Sequence, residues 1–226
     1  MKKILLITLT TLLCLTMSAQ KATLDTTGYC PITKGLTLKY ANYDESGKIT
    51  GYYISKVTSI DGNLTKGKVI FDQSFYDKDD KARFTDNSLI MEVTVGEDEY
   101  TISKMSSLTM LMKVQDDISK GDASSIPTTL STGQTIADGK IKIKAGAAGA
   151  TITTTGRKVT ERKEITTKAG TFDAYLIKET QYTKSLGTKE ERLESWYAKG
   201  IGCIKQKVYD KKGRLVQSQE LISITY

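Results

Sequence analysis

The last third of the chain is written in long alternating segments. Apolar and polar residues trade places along Thr151–Thr167, Thr171–Lys184, Thr188–Tyr209 and Leu215–Tyr226, with Lys168-Ala169-Gly170 and Ser185-Leu186-Gly187 as turn signals between them. Period-two alternation sets one face of a strand on a core and the other in water. Joints this short connect antiparallel neighbours, because a parallel crossover needs a dozen residues or more. Ordinary strands run about 5–6 residues, so segments of this length predict a large, twisted and strongly curved antiparallel sheet.

The rest of the chain carries the same punctuation. "YDESGKI" from Tyr43, "YDKDDKA" from Tyr76 and "YDKKGRL" from Tyr209 each place an aromatic, an acid and a short polar run between extended segments. They predict three hairpin tips, two of them with a glycine free to take positive φ. Further turns are expected at Asp61-Gly62-Asn63 and Ala145–Gly149. One segment departs from alternation: Ile102, Met105, Leu108 and Met112 are spaced three, three and four apart, the stripe of an amphipathic helix. A helix is therefore predicted over Ser103–Ser119, covering one face of the sheet. The loop after it is broken by Pro127 and Gly133.

The stretch "WYAKGIGCIK", Trp196–Lys205, holds the only tryptophan and two glycines. A dinucleotide-binding loop needs glycines at its first, third and sixth positions, and Lys205 stands at the sixth counted from Gly200. The stretch instead reads as strand, with Trp196, Gly200 and Gly202 on one face forming a shallow trough that an aromatic can cross, and Cys203 on the other face with Tyr197 and Ile201.

The first twenty residues have the layout of a secretory leader: Lys2 and Lys3, an apolar run from Ile4 to Leu15, then Ser18-Ala19-Gln20. Residues 1–20 are read as a signal peptide and 21–226 as one antiparallel β domain, exported to the periplasm or beyond. Cys14 follows Thr-Leu-Leu inside the apolar run, where lipidation would require small residues. No later segment approaches the roughly 20 apolar residues of a membrane-spanning helix. Cys30 and Cys203 remain after processing, and in an oxidising compartment they form either a disulfide or two separate half-buried thiols.

Of the formal net charge of +7, Lys2 and Lys3 belong to the leader, and the remaining basic residues are interleaved with acidic ones, as in "TKEERLESW". No stripe follows a phosphate backbone, so nucleic acid is not an expected partner. The chain has no histidine, which removes Ser-His-Asp and Cys-His catalysis and any imidazole metal site. No metal or cofactor motif is present. Glu190, Glu191, Glu194 and Asp173 are the carboxylates from which a glycosidase pair would have to come, yet each sits in a polar alternating segment where surface charge is the ordinary reading. Ser103 and Ser119, each followed by lysine, lack a recognisable nucleophile setting. The chain is read as a non-enzyme.

The order "YDESGKITGYY", "IPTTLSTGQTIADGKIKI", "TTKAGTFDAYLI" and "WYAKGIGCIKQKVYDKKGRL" resembles the TapB-like family of exported bacterial proteins of unknown function. The resemblance covers most of the mature chain. It departs at Lys168, where that family usually has proline, and at Cys30 and Cys203, where apolar or aromatic residues are commoner. It implies an antiparallel half-barrel with a helix on its concave side, similar to periplasmic lipoprotein carriers, and transfers no functional residue. Two readings follow. In one, the concave sheet holds an apolar or lipid-like ligand, with Met105, Leu108 and Met112 on the lid side and Trp196 on the sheet side. In the other, the protein is a structural or interaction component of the envelope with a filled core and an envelope protein as partner. The two differ in whether the concave space is occupied by the protein's own side chains.

Overall fold

A computed structural model describes residues 27–62, 66–84, 86–107, 112–114, 125–145 and 148–226. The described strands are β1 Thr37–Asp44, β2 Ile49–Gly62, β3 Gly67–Asp77, β4 Leu89–Val95, β5 Glu99–Ser107, β6 Met112–Val114, β7 Ser125–Pro127, β8 Gly139–Ala145, β9 Ala148–Thr167, β10 Gly170–Lys184, β11 Thr188–Ala198, β12 Gly202–Asp210 and β13 Leu215–Thr225. The pairing runs β4-β3-β2-β1-β13-β12-β11-β10-β9-β8-β6-β5, and β5 pairs again with β4. One antiparallel sheet thus nearly closes into a barrel, and the short β7 lies along the first residues of β5, beside Tyr100. Closure leaves few unpaired edges, which is how an all-antiparallel protein of this size protects its backbone groups.

The predicted helix is absent from the described residues. Residues up to Ser107 continue β5 and Met112–Val114 form β6, while 108–111 and 115–124 lie outside the described residues. The first step of the helical spacing, from Ile102 to Met105, has a different physical origin. Met91 faces Met105 and Val93 faces Ile102, so β5 carries one extra residue, Ser103, opposite β4. A bulge of this kind lets residues three apart share a face of a strand.

The second correction is at Trp196–Lys205. The chain leaves β11 at Ala198, turns through Lys199–Ile201 and re-enters the sheet at Gly202. Gly200 and Gly202 take φ of 74° and 87°, a region that side chains disfavour. No aromatic crosses the glycines. A Cβ on Gly202 would instead meet the Tyr29 carbonyl at 3.3 Å and Pro31 Cδ at 3.4 Å, so the space serves the segment before β1. The Gly200 N–H donates to the Gly28 carbonyl at 2.6 Å.

The three predicted tips are hairpin turns of one design. In each the aspartate Oδ1 accepts two backbone N–H groups: Ser46 and Lys48 on Asp44, Asp79 and Lys81 on Asp77, Lys212 and Arg214 on Asp210, all at 2.8–3.0 Å. The positive-φ position is filled by Gly47, Asp80 and Gly213. Because β1, β3 and β12 run the same way in the sheet, the tips share one end of the barrel. The Gly28–Pro31 segment and the Gly200 turn lie at the other.

The ribbon of β9 and β10 is the longest pairing. Register shifts between Leu176 and Ile177 and between Lys178 and Thr180 bend it. Its tip reaches β13, where the Lys168 N–H donates to Glu220 at 3.3 Å. Within the ribbon Arg157, only 1% exposed, pairs through Nε with Glu179 at 2.9 Å and donates Nη1 to the Ala137 carbonyl at 3.0 Å. A charge buried this deeply is tolerated because a carboxylate and a carbonyl replace its water.

Candidate functional site

The interior of the sheet is where the alternating faces meet. Leu38 and Tyr40 on β1, Tyr53 and Val57 on β2, Phe71 on β3, Met91 and Val93 on β4 and Tyr100 and Ile102 on β5 follow one another in register across five neighbouring strands. Tyr40 and Tyr53 stack at 4.5 Å with planes 3° apart, and Phe75 continues the ladder at 6.1 Å from Tyr53. Opposite them stand Tyr197, Ile201 and Cys203, with Cys30 and Pro31 crossing the end of the sheet. Apart from Val57 and Phe75, these residues border an open cavity of about 220 Å³.

Burial shifts the ionisable side chains that line this cavity. Burial raises the Tyr40 and Tyr197 phenols well above their ordinary range, and raises Tyr53 likewise. Burial also pushes the Cys30 and Cys203 thiols up to about 12, so neither is a thiolate at neutral pH and neither is an activated nucleophile. Both cysteines line this one cavity and stand unbridged in this structure. The Cys203 thiol donates to the Lys205 carbonyl at 3.4 Å.

Two other cavities adjoin the sheet. A cleft of about 600 Å³ is lined by Tyr29, Leu130, Arg162, Phe172, Asp173, Tyr175, Lys199 and Ile201 among others. It meets the inner cavity at Tyr29 and Ile201, which line both. Tyr29 is held edge-on against Tyr175 with centroids 6.0 Å apart. At the end with the hairpin tips, a polar cavity of about 390 Å³ is bordered by Asn42, Gln206, Gln217 and Gln219. There Gln219 donates to Asn42 at 2.9 Å, and Gln206 donates to the buried Ser195 at 3.0 Å.

The residues singled out from sequence are dispersed. Met105 stands in β5 opposite Met91 in register, Met112 is in β6, and Leu108 lies outside the described residues. Trp196 is 6% exposed and lines none of these three cavities. It stands on the face of β11 away from Tyr197, packed in a cluster with Leu176, Ile165 and Phe172, with the Lys207 ammonium 6.0 Å from its ring. The carboxylates do not converge: Asp173 pairs with Arg162, Glu191 with Lys189 and Glu194 with Lys178. Ser103 donates to Glu92 at 2.9 Å, and Ser119 lies outside the described residues. Apart from Cys30 and Cys203, the cavity wall was not singled out from sequence, although Tyr53 and Ser55, and Phe71 and Gln73, carry the period-two signal that marks it.

The described residues form one antiparallel sheet that nearly closes into a barrel beside an apolar hollow, which places the chain among barrel-like antiparallel β-proteins. The chain belongs to the DUF3108-like family, whose pattern matches residues 33–221. Its fold is similar to that of a protein of Bacteroides fragilis assigned as exported with a YmcC-like fold, at 18% identity and a TM-score of 0.72 over 88% of this chain and 100% of that one. It is also similar to a protein of Parabacteroides distasonis assigned as a lipoprotein, at 17% identity and a TM-score of 0.71 over 89% of this chain and 100% of that one. No curated protein matches the chain in sequence. The export expected from residues 1–20 agrees with both neighbours, and no helix among the described residues is long and apolar enough to cross a membrane.

Proposed function

We propose that the protein is an envelope binding module that holds one apolar chain inside its sheet, a reading that extends the resemblance to TapB-like proteins and periplasmic carriers. The observation that carries it is the 220 Å³ hollow left between Tyr40, Tyr53, Phe71, Met91, Ile102 and Tyr197. A core that packs for stability alone leaves few voids larger than a water molecule, and an apolar void of about 150 Å³ already admits benzene. The hollow is smaller than the roughly 300 Å³ at which drug-sized sites begin, so it suits a segment of an acyl chain and not a whole lipid. Met105 stands opposite Met91 in register, and Leu108 and Met112 follow it in the chain.

Mass measurement tests this directly. Protein purified from the periplasm should show a mass excess on native spraying that disappears on denaturation, and the extract should contain an acyl or other apolar chain. A bare polypeptide mass, together with no uptake of a dodecyl amphiphile, would sink the reading and favour a structural or interaction protein of the envelope.

A further inference from the structure

The inner cavity and the 600 Å³ cleft are two rooms divided by a partition of two side chains. Tyr29 and Ile201 line both, and each belongs to a segment fastened by the same contact, the Gly200 N–H on the Gly28 carbonyl. The inner room is apolar; the outer one is amphipathic. Leu130, Phe172 and Tyr175 give it apolar walls, while Arg162 and Lys199 supply two positive charges against the one carboxylate of Asp173. Arg162 is oriented by that carboxylate, its Nε 3.0 Å from both oxygens, and lies over the Tyr175 ring at 5.5 Å. A guanidinium has five N–H donors; the carboxylate engages Nε and one Nη2 hydrogen and the Tyr175 hydroxyl accepts a further one, which leaves the others for a ligand. Lys199 is exposed on the turn and has no ion-pair partner among the described residues.

We infer that the bound chain carries an anionic head, a carboxylate or phosphate, which sits in the outer cleft on Lys199 and the free N–H groups of Arg162, while its tail passes between Tyr29 and Ile201 into the inner cavity. This rests on the binding reading above and adds the head. The positive excess of the cleft favours an anion, and Asp173 opposes a cationic head. A neutral glycosidic head has its natural partners at the far end, on the amides of Asn42, Gln206 and Gln219, where the apolar room does not open.

Three amphiphiles with one tail and different heads separate the possibilities: dodecanoate, dodecyl maltoside and dodecyltrimethylammonium, each titrated below its micellar concentration by calorimetry at low salt. Dodecanoate should bind at least about five-fold more tightly than the other two, the ratio a single partly exposed ion pair supplies. The lead should shrink in high salt, where such pairs are screened. Lys199→Gln, on an exposed turn, should cut the affinity for dodecanoate and most of its lead over the maltoside. Ile201→Trp, which fills the passage, should weaken all three. Equal binding of the three, or tightest binding of the maltoside or the ammonium, overturns the anionic head and leaves the apolar cavity standing. Binding of none overturns both.

Discussion

Gly28 has no room for a side chain: a Cβ there would stand 1.6 Å from the Tyr100 hydroxyl, and Tyr100 is itself 6% exposed. Either the tyrosine leaves the core or the crossing segment lifts. Gly28→Ala should therefore cost about 1–3 kcal/mol, the usual cost of overpacking, read as a lower denaturation midpoint at unchanged slope. Gly200→Val forces a β-branched residue to φ 74° and should cost about 1–2 kcal/mol or more for the left-handed backbone alone. If both variants unfold with the wild type, the segment does not close the barrel end. The cysteines give a chemical test at the same scale. With burial holding Cys30 and Cys203 near 12, the reduced, folded protein should resist alkylation at pH 8, because the thiolate is the reacting form. Unfolding the exported protein without reductant then decides the pairing: no titratable thiol means a disulfide, and two mean a reduced pair.

The three aspartate tips form a set of like elements at one end of the sheet. Hydrogen bonds hold each carboxylate below its ordinary range, led by the Ser46 hydroxyl on Asp44 and by the backbone N–H of Lys81 on Asp77 and of Arg214 on Asp210. A lowered folded-state value means stability that is fully present above the ordinary carboxylate value and is lost as pH falls through the lowered one. The urea midpoint should fall from about pH 5 downward, and the triple Asp→Asn variant should lose much of that slope; an unchanged slope would place the acid sensitivity elsewhere. These tips were legible because the motif repeats with its φ requirement visible, and Asp80 shows that an aspartate serves where glycine is missing. The long strands β9, β10 and β13 were legible for the same local reason, their turns being written in the sequence. The departure from the expected helix at Ser103–Ser107 and Met112–Val114 is also local. One bulged residue, Ser103, gives the three-residue step from Ile102 to Met105, and only the partner strand β4 reveals it.

At the scale of the molecule the site was not legible, because no segment contains it. Its walls come from Cys30, β1 to β5 and the Tyr197–Cys203 corner, and only closure of the sheet brings these ends together. Trp196 and Tyr197 are adjacent in sequence, yet Trp196 is packed into the main core cluster without lining the cavity while Tyr197 lines it, so the large aromatic drew attention away from its neighbour. The same geometry makes stability a reporter of occupancy. A ligand that binds only the closed sheet at about 100 times its dissociation constant adds about 2.7 kcal/mol, which for a chain of this size is roughly 5–10 °C in Tm. Protein purified from the periplasm should therefore unfold well above the same protein after extraction with organic solvent and refolding, and added dodecanoate should restore the difference. Ile102→Trp, which replaces the hollow with side chain, should remove the response to dodecanoate while leaving a folded sheet with its far-ultraviolet β signature. If extraction leaves Tm unchanged and Ile102→Trp responds like the wild type, the hollow is not where the chain binds.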